Sequence, residues 1–202
     1  MKMNVWDKLS NKYDTLWVQK YSLTPSRNKV LALLKSVDNS FSLLDVGCAT
    51  GQLLCEIREK HPKSELFGID KSKNMIDLAK EKNTDIEFSA ISVENYKSDK
   101  KFDFITCCHS FPYYRDKDFV LKKLSDLLKE DGMAIFIQAS INSSYDKFAM
   151  SIVEKTAEKA DYLSKKEFWN LAGKYFVMED SFTIKEKWFM PSICGFVLGK
   201  KL

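Results

Sequence analysis

The 202-residue sequence is poor in several features that would assign it quickly to a class of protein. It contains 7 glycines, 4 prolines and 2 histidines. No apolar run approaches the roughly 20 residues that a membrane span needs. Charged residues also stand in the first seven positions, where a secretory signal would begin its apolar segment. We therefore expect a cytoplasmic protein that does not insert into a membrane.

The cysteines are few, and their spacing is not that of a metal or disulfide framework. The chain has 5, an odd number, and none forms a Cys-x-x-Cys pair. Cys107, Cys108 and His109 are contiguous, and adjacent side chains of a strand point to opposite faces, so we expect no metal site there. We predict free thiols, which are Cys48, Cys55, Cys107, Cys108 and Cys194.

The charge is nearly balanced and has no strong local concentration. The 32 Lys and Arg residues exceed the 28 Asp and Glu residues, giving a net charge of +4. No dense stripe of Lys and Arg gives this excess a direction, so a solvated surface of mixed charge is favoured over a nucleic-acid footprint.

Alternating strand and helix patterns predict the fold. We expect a helical cap over residues 1–38, with a helix after Pro25, then parallel strands over residues 41–46, 65–70, 85–89, 102–107 and 133–139. Helical patterns over residues 52–60, 72–82 and 117–129 separate these strands, which predicts crossovers with helices on both faces of the sheet. The runs 176–189 and 192–200 leave no room for a helix between them and must pair antiparallel.

These patterns predict a single α/β domain over residues 1–202, a Rossmann-like doubly wound sheet. Five parallel strands are completed by a C-terminal antiparallel hairpin. A helical insert over residues 140–172 interrupts the alternation. Within it we expect a helix over 146–160 and another opened by the capping box Ser164-x-x-Glu167.

Two of the scarce glycines, Gly47 and Gly51, come directly after the first strand. Glycine there permits positive φ and close approach of a ligand to the backbone. The helix that follows offers free N–H groups to an anionic group. Asp70 ends the second strand, where a carboxylate binds ribose hydroxyls. Strand, turn, helix and acid together predict a nucleotide-type site.

Two details favour S-adenosylmethionine over a dinucleotide as the ligand. The series Gly47-x-Ala49-x-Gly51 lacks the third glycine of the dinucleotide pattern Gly-x-Gly-x-x-Gly. Asp45 ends the first strand, where a carboxylate would repel a pyrophosphate and attract the ammonium of a methionine moiety.

The segment Asp45-Val-Gly47-Cys-Ala49-Thr-Gly51 resembles the first motif of class I S-adenosylmethionine-dependent methyltransferases, Asp-x-Gly-x-Gly-x-Gly, with Ala49 at the middle glycine. The resemblance extends over essentially the whole chain and is to the small-molecule branch with a helical cap. It implies the fold above, S-adenosylmethionine as methyl donor and S-adenosylhomocysteine as product. The donor-binding residues that it implies are Tyr13, Asp45, Gly47, Cys48, Ala49, Gly51, Asp70, Lys71, Met75, Ser92, Val93 and Cys107.

Ser92 departs from the family, in which an acid often holds the adenine amino group at this position. Serine keeps the capacity to accept a hydrogen bond.

The candidate acceptor residues lie mostly after the fourth strand. His109 is positioned to take a proton from an acceptor as a catalytic base, and the alternative, which is favoured, is that it only lines the donor pocket. Tyr113, Tyr114 and Tyr145 are candidates for shaping a small-molecule acceptor pocket. We expect a monomer or homodimer.

Alternatives to a small-molecule methyltransferase remain open. A nucleic-acid or protein methyltransferase would carry an Asn-Pro-Pro-Tyr-like signature, of which Ser110-Phe-Pro-Tyr113 is a faint echo. An NAD-type Rossmann oxidoreductase and a non-enzymatic donor-binding module are the others.

Overall fold

A computed structural model describes residues 7, 10, 12–16, 19–38, 40–153, 160–187 and 190–201, with the backbone alone for residues 148–149 and 151–153. The predicted helical cap over residues 1–38 falls partly outside these ranges, as do residues 154–159 of the predicted helix over 146–160. Of the N-terminal segment, Lys12 and Tyr13 are helical. None of the helices in the described part of the chain has the length and apolar character needed to cross a bilayer.

The described residues form one seven-stranded sheet. Its strands are β1 Ser42–Val46, β2 Glu65–Asp70, β3 Glu87–Ala90, β4 Phe102–Cys108, β5 Leu128–Ala139, β6 Phe176–Ile184 and β7 Ile193–Lys200. The spatial order is β3-β2-β1-β4-β5-β7-β6. The first five strands pair in parallel, and β7 pairs antiparallel with both β5 and β6. The predicted fold class, with its parallel sheet and C-terminal antiparallel hairpin, is confirmed.

Six α-helices accompany the sheet in the part of the chain that the structure describes. They are α1 Thr24–Leu34, α2 Gln52–Lys60, α3 Lys73–Lys82, α4 Lys117–Leu127, α5 Ser144–Val153 and α6 Lys165–Ala172. A π-helical turn, Gln19–Leu23, leads into α1. Side chains cap the starts of three of these helices: Ser72 caps α3, Asp116 caps α4, and Ser164 with Glu167 forms the predicted capping box of α6.

Consecutive residues of the central strands supply two separate cores, because neighbouring side chains of a strand point to opposite faces. Leu43 packs with Val30 of α1 and Ile57 of α2, whereas Leu44 packs with Leu124 of α4 and Phe168 of α6. All six side chains are completely buried. The sheet is therefore covered on both faces, as the alternating sequence pattern predicts.

The largest difference from the predicted elements lies before β5. The sequence predicts that a helix continues to Lys129 and that the strand starts at Met133, but α4 ends at Leu127 and β5 starts at Leu128. Leu128 is buried and pairs with Phe102 at the start of β4, and the register shifts before Met133 pairs with Phe104. Tertiary pairing and burial of Leu128 thus override the helical pattern of the segment.

Candidate active site

The carboxyl ends of the five parallel strands surround one cavity of about 700 Å³. Each strand or the loop after it contributes a lining residue: Gly47 after β1, Asp70 at the end of β2, Ser92 after β3, His109 after β4 and Ala139 at the end of β5. Ligands of open α/β sheets bind at this edge. A volume of this size accommodates a nucleotide-sized ligand with space beside it.

The loop after β1 has an unusual backbone that requires small residues. Gly47, Ala49 and Gly51 all have positive φ, at 78°, 48° and 75°. The N–H groups of Gly47 and Cys48 both donate to the carbonyl of Ile69, at 2.8 and 3.0 Å, which holds the loop against β2. The loop therefore curls around the end of β1 with its backbone facing the cavity at Gly47 and Ala49.

The two glycines of the loop have different roles. A Cβ atom on Gly47 would lie 2.3 Å from Cβ of Ser110, so Gly47 lets the loops after β1 and β4 approach each other beside the cavity. A Cβ on Gly51 would lie 2.7 Å from the ring of Phe88, away from the cavity lining. Gly51 thus serves the packing of α2 against the sheet, in addition to its positive φ.

Asp70 is held rigidly at the edge of the cavity. Its carboxylate accepts hydrogen bonds from the backbone N–H of Ala49, at 3.1 Å, and of Ser72, at 2.8 Å. Burial raises the pKa of Asp70 above its ordinary value, and these two donors oppose that change. Each carboxylate oxygen retains lone pairs for a ligand hydroxyl. Asp70 therefore both orders the glycine loop and offers acceptors to the cavity.

Asp45 lies in a small recess that adjoins the main cavity and shares Tyr13, Gly47, Ala49 and His109 with it. The side chain is buried, and the hydroxyl of Thr106 donates to Oδ1 at 2.7 Å. Burial raises the pKa of Asp45 to about 7, against the opposing effect of the Thr106 hydrogen bond. An uncompensated buried carboxylate of this kind is stabilised by a cationic ligand group.

Arg27 of α1 lines the same recess and was not singled out by the sequence. Its Nε donates to Glu56, Nη1 donates to Gln19 and Gln52, and Nη2 donates to Thr24. A guanidinium has five N–H donors. Four of them are used in this way, and the second N–H on Nη2 has no acceptor among the described residues. The recess thus combines an acidic side chain with a firmly positioned basic one. Neither residue type nor spacing marks Arg27 in the sequence, because its partners come together only in the folded chain.

His109 links the loop after β4 to α1. Its Nε2 lies 2.8 Å from Oγ of Ser26, and that hydroxyl donates to the carbonyl of Ser22 at 2.8 Å. His109 has a left-handed backbone with φ of 61°, a conformation that is strained for a residue other than glycine. Burial lowers the pKa of His109 to about 4. The imidazole is consequently neutral near pH 7.

The segment before α1 covers the cavity and is attached to the loop and helix beneath it. Oδ1 of Asp14 accepts a hydrogen bond from the hydroxyl of Thr50 at 2.6 Å, and the carboxylate also pairs with Lys82 of α3. Asp7 accepts a hydrogen bond from the Ser72 hydroxyl at the start of α3. Tyr13 lies between these attachments and lines both the cavity and the recess. Burial raises its pKa well above the ordinary tyrosine value.

Most of the residues predicted for the site come together in the structure. Those that line the main cavity are Tyr13, Gly47, Ala49, Asp70, Lys71, Met75, Ser92, Val93, His109, Tyr113 and Tyr114. Asp45 and Cys48 line the recess. Further lining residues come from distant parts of the sequence that had no recognisable signal, among them Met150, Tyr162 and Met190.

Three predicted residues lie apart from the cavity lining. Gly51 packs against Phe88, as described above. Cys107 is buried beneath the loop, with Sγ 3.2 Å from Oγ of Ser110, and burial raises its pKa to about 12. Tyr145 is 40% exposed on α5, with Nζ of Lys185 5.9 Å from its ring centroid. Its position does not support a role in shaping an acceptor pocket, because the amphipathic pattern of α5 turns Met150 inward in its place.

The chain is similar in sequence to known methyltransferases. A family model described as a methyltransferase domain matches residues 44–134, the part of the chain that contains the glycine loop and Asp70. The demethylmenaquinone methyltransferase of Thermotoga maritima is 29% identical over 139 residues, which are 67% of this chain and 60% of that protein. The chain spans between 34% and 60% of the length of the curated relatives that it matches.

Solved structures share the fold over nearly the whole chain. A chain of the complex between the Haloferax volcanii Trm112 methyltransferase activator and a methyltransferase superposes with a TM-score of 0.84, covering 100% of both chains at 13% identity. The N-methyltransferase NodS of Bradyrhizobium japonicum, solved with S-adenosylhomocysteine, superposes with a TM-score of 0.71, covering 92% of each chain at 13% identity.

The strand order and the antiparallel β7 define a class I methyltransferase fold. The match of residues 44–134 to a methyltransferase domain, the methyltransferase relatives and the shared fold support the class I S-adenosylmethionine-dependent methyltransferase family predicted from the glycine loop.

Proposed function

We propose that this protein transfers a methyl group from S-adenosylmethionine to a small-molecule acceptor bound in the same cavity. The observation that carries the proposal is the pair of carboxylates, buried Asp45 and half-buried Asp70, on either side of the left-handed loop Gly47–Gly51. Asp45 faces the recess and Asp70 faces the main cavity. This spacing of charges suits a ligand with a cationic amino acid group at one end and a ribose at the other.

The recess would hold the methionine part of the donor. Ionised Asp45 would pair with the ammonium, and the Arg27 N–H that has no acceptor among the described residues would face the carboxylate. The lack of a side chain at Gly47 supports this assignment, because a Cβ atom there would fill the space between the loops after β1 and β4. A buried acid beside a guanidinium matches the opposite charges of an amino acid.

The nucleoside part would occupy the main cavity. The carboxylate of Asp70 would accept hydrogen bonds from the ribose hydroxyls. Met75 and Val93, which are at most 2% exposed, would cover the adenine with apolar surface. Ser92 would contribute a polar contact at the edge of the base. The exposed Lys71 lies at the mouth of the same region.

When bound, the donor supplies a methyl group on a positively charged sulfur, and its leaving group is a neutral thioether. The chain must therefore align an acceptor in line with that methyl and exclude water. Tyr13 and the covering segment close the cavity from one side, and Tyr113 and Tyr114 line it from the loop after β4. We propose that neutral His109 accepts the proton that the acceptor loses.

The proposal is tested by calorimetry with S-adenosylhomocysteine and with NAD as separate titrants. Saturable binding of S-adenosylhomocysteine and none of NAD is expected. A second measurement incubates the protein with methyl-labelled S-adenosylmethionine and a pool of small-molecule extract, and then with protein and nucleic acid from the same source. Label that passes only into protein or nucleic acid would replace the small-molecule assignment, and absent binding of S-adenosylhomocysteine would overturn the donor assignment.

A further inference from the structure

The part of the cavity that the donor would leave for the acceptor has a distinctive chemical character. The charged residues of the lining are Asp70, Lys71, Glu94 and Arg115. Asp70, Lys71 and Glu94 follow β2 and β3, which places them on the side assigned above to the ribose and the adenine, and Arg115 is exposed at the surface. The opposite wall is uncharged in the part of the chain that the structure describes, and its residues include Leu23, Pro112, Tyr113, Met150, Tyr162 and Met190.

This wall is built from segments far apart in the chain, and it is largely apolar. Met150 is 2% exposed and Met190 is 9% exposed, so both thioethers are directed inward. Methionine adapts its shape to a ligand and makes favourable contacts with aromatic rings. The hydroxyls of Tyr113 and Tyr162 lie 3.4 Å apart. A charged acceptor group would lose its hydration here without gaining a counter-charge, which is unfavourable.

His109 lines both the recess and the main cavity, and its hydrogen-bonding state follows from its neighbours. The carbonyl of Ser22 can only accept, so the single hydroxyl hydrogen of Ser26 is directed to it. Oγ of Ser26 must then accept from Nε2–H of His109. The proton of the neutral ring is thereby placed on Nε2, and Nδ1 carries a lone pair. Among the described residues, none donates a hydrogen bond to Nδ1.

We propose that the methyl acceptor is an uncharged, largely apolar ring compound whose hydroxyl or N–H group donates a hydrogen bond to Nδ1 of His109. The inference rests on the proposed function and names its acceptor class. In the reaction, the lone pair of the acceptor oxygen or nitrogen forms the new bond to the methyl carbon. The carbon–sulfur bond breaks with its electrons remaining on sulfur, and the acceptor proton passes to Nδ1 and then to water. Ser26 is a positioning residue that keeps Nδ1 free of a proton before the transfer.

The experiment uses four naphthalene probes of the same size, titrated into the full chain saturated with S-adenosylhomocysteine near pH 7.5. The probes are 2-naphthol, 2-methoxynaphthalene, the 2-naphthoate anion and the 2-naphthylmethylammonium cation. We expect 2-naphthol to bind at least tenfold more tightly than either charged probe, and at least fivefold more tightly than 2-methoxynaphthalene, which has no donor.

The variant His109→Gly tests the hydrogen bond, because glycine adopts the positive φ of this position without strain. It should retain the discrimination against charged probes but lose the preference for 2-naphthol over 2-methoxynaphthalene. The matched control is His61→Asn, which changes the other histidine, a residue outside the cavity lining. That variant should keep both preferences, and circular dichroism checks the folding of each variant.

Several results would overturn the inference: a charged probe that binds as tightly as 2-naphthol, a preference for 2-naphthol that survives in His109→Gly, or no binding of any uncharged probe. Failure of the proposed function appears separately, in the first titration with S-adenosylhomocysteine. If that compound does not bind, the same probes are titrated into the free protein, and their order of affinity still decides the character of the pocket.

Discussion

Oγ of Ser26 and Nε2 of His109 lie 2.8 Å apart, although the residues are separated by 83 positions in the sequence. This contact joins α1 to the loop after β4, where His109 itself has the strained left-handed backbone. It determines which nitrogen of His109 is protonated. The proposed role of His109 toward the acceptor therefore depends on a serine of α1.

The first prediction concerns this contact. In ¹⁵N-labelled protein at pH 7, the long-range proton–nitrogen spectrum of His109 should show the Nε2–H tautomer, because Ser26 accepts from that nitrogen. The variant Ser26→Ala should give a mixture of both tautomers, and Ser26→Thr, which retains a hydroxyl, should restore the single form. Assignment uses His61→Asn, since the chain has 2 histidines. An Nδ1–H tautomer in the unmodified protein would contradict the hydrogen-bond directions described above.

The second prediction is a pH dependence of donor binding. Burial raises the pKa of Asp45 to about 7, so below that pH the ligand ammonium must displace a proton from the carboxyl group. Affinity for S-adenosylhomocysteine should therefore rise with pH, by about tenfold between pH 6 and pH 8 for a group titrating in this range. In Asp45→Asn the affinity should be weaker and nearly independent of pH over this interval. A rise of the same size in that variant would show that another group is responsible.

The third prediction separates the two carboxylates by ligand. Asp70→Asn should weaken binding of S-adenosylhomocysteine by about 1.5–3 kcal/mol, the range for hydrogen bonds to a charged group, which is roughly 12- to 160-fold. It should weaken 5′-methylthioadenosine similarly, because this compound retains the ribose but lacks the amino acid. Asp45→Asn should weaken the binding of S-adenosylhomocysteine but not the binding of 5′-methylthioadenosine. Calorimetry with both ligands checks the pattern, and equal effects of the two variants on 5′-methylthioadenosine would refute it.

The fourth prediction concerns the close approach of two loops. Gly47→Ala should lower the free energy of unfolding by about 2–4 kcal/mol, because the new Cβ would meet Ser110 and the residue would keep a positive φ. Gly173→Ala is the matched control, since Gly173 has a φ of −63° and the nearest atom to a new Cβ is 3.0 Å away. Its effect should be below about 1 kcal/mol. Chemical denaturation measures both, and similar losses in the two variants would contradict the role given to Gly47.

Residues that are close in sequence made the donor site predictable. The glycine loop, Asp45 and Asp70 belong to consecutive elements, and parallel pairing of β1 with β2 necessarily brings their carboxyl ends together. The same reasoning predicted the antiparallel hairpin, because the two final runs leave no space for a crossover. Local patterns of this kind are decided by backbone geometry, which is why they transfer directly from sequence to structure.

The acceptor side was less predictable because it depends on contacts between distant segments. Ser26, Arg27, Met150 and Met190 each belong to an ordinary apolar or polar pattern. Only the fold places Ser26 against His109, Arg27 at the recess, and the two methionines at the cavity. Tyr145 illustrates the opposite case: it is near the right segment in sequence, but the helical phase of α5 directs it to the surface. Sequence proximity to a site does not determine which face of a helix meets it.

The attachments of Asp14 have a consequence for the opening of the site during turnover. The carboxylate of Asp14 accepts a hydrogen bond from Thr50 in the glycine loop and forms an ion pair with Lys82 of α3, and the neighbouring Tyr13 lines the cavity. Separation of these contacts would uncover the glycine loop and the space beneath Tyr13. Opening of this clasp is therefore expected to accompany entry of the donor and departure of its product.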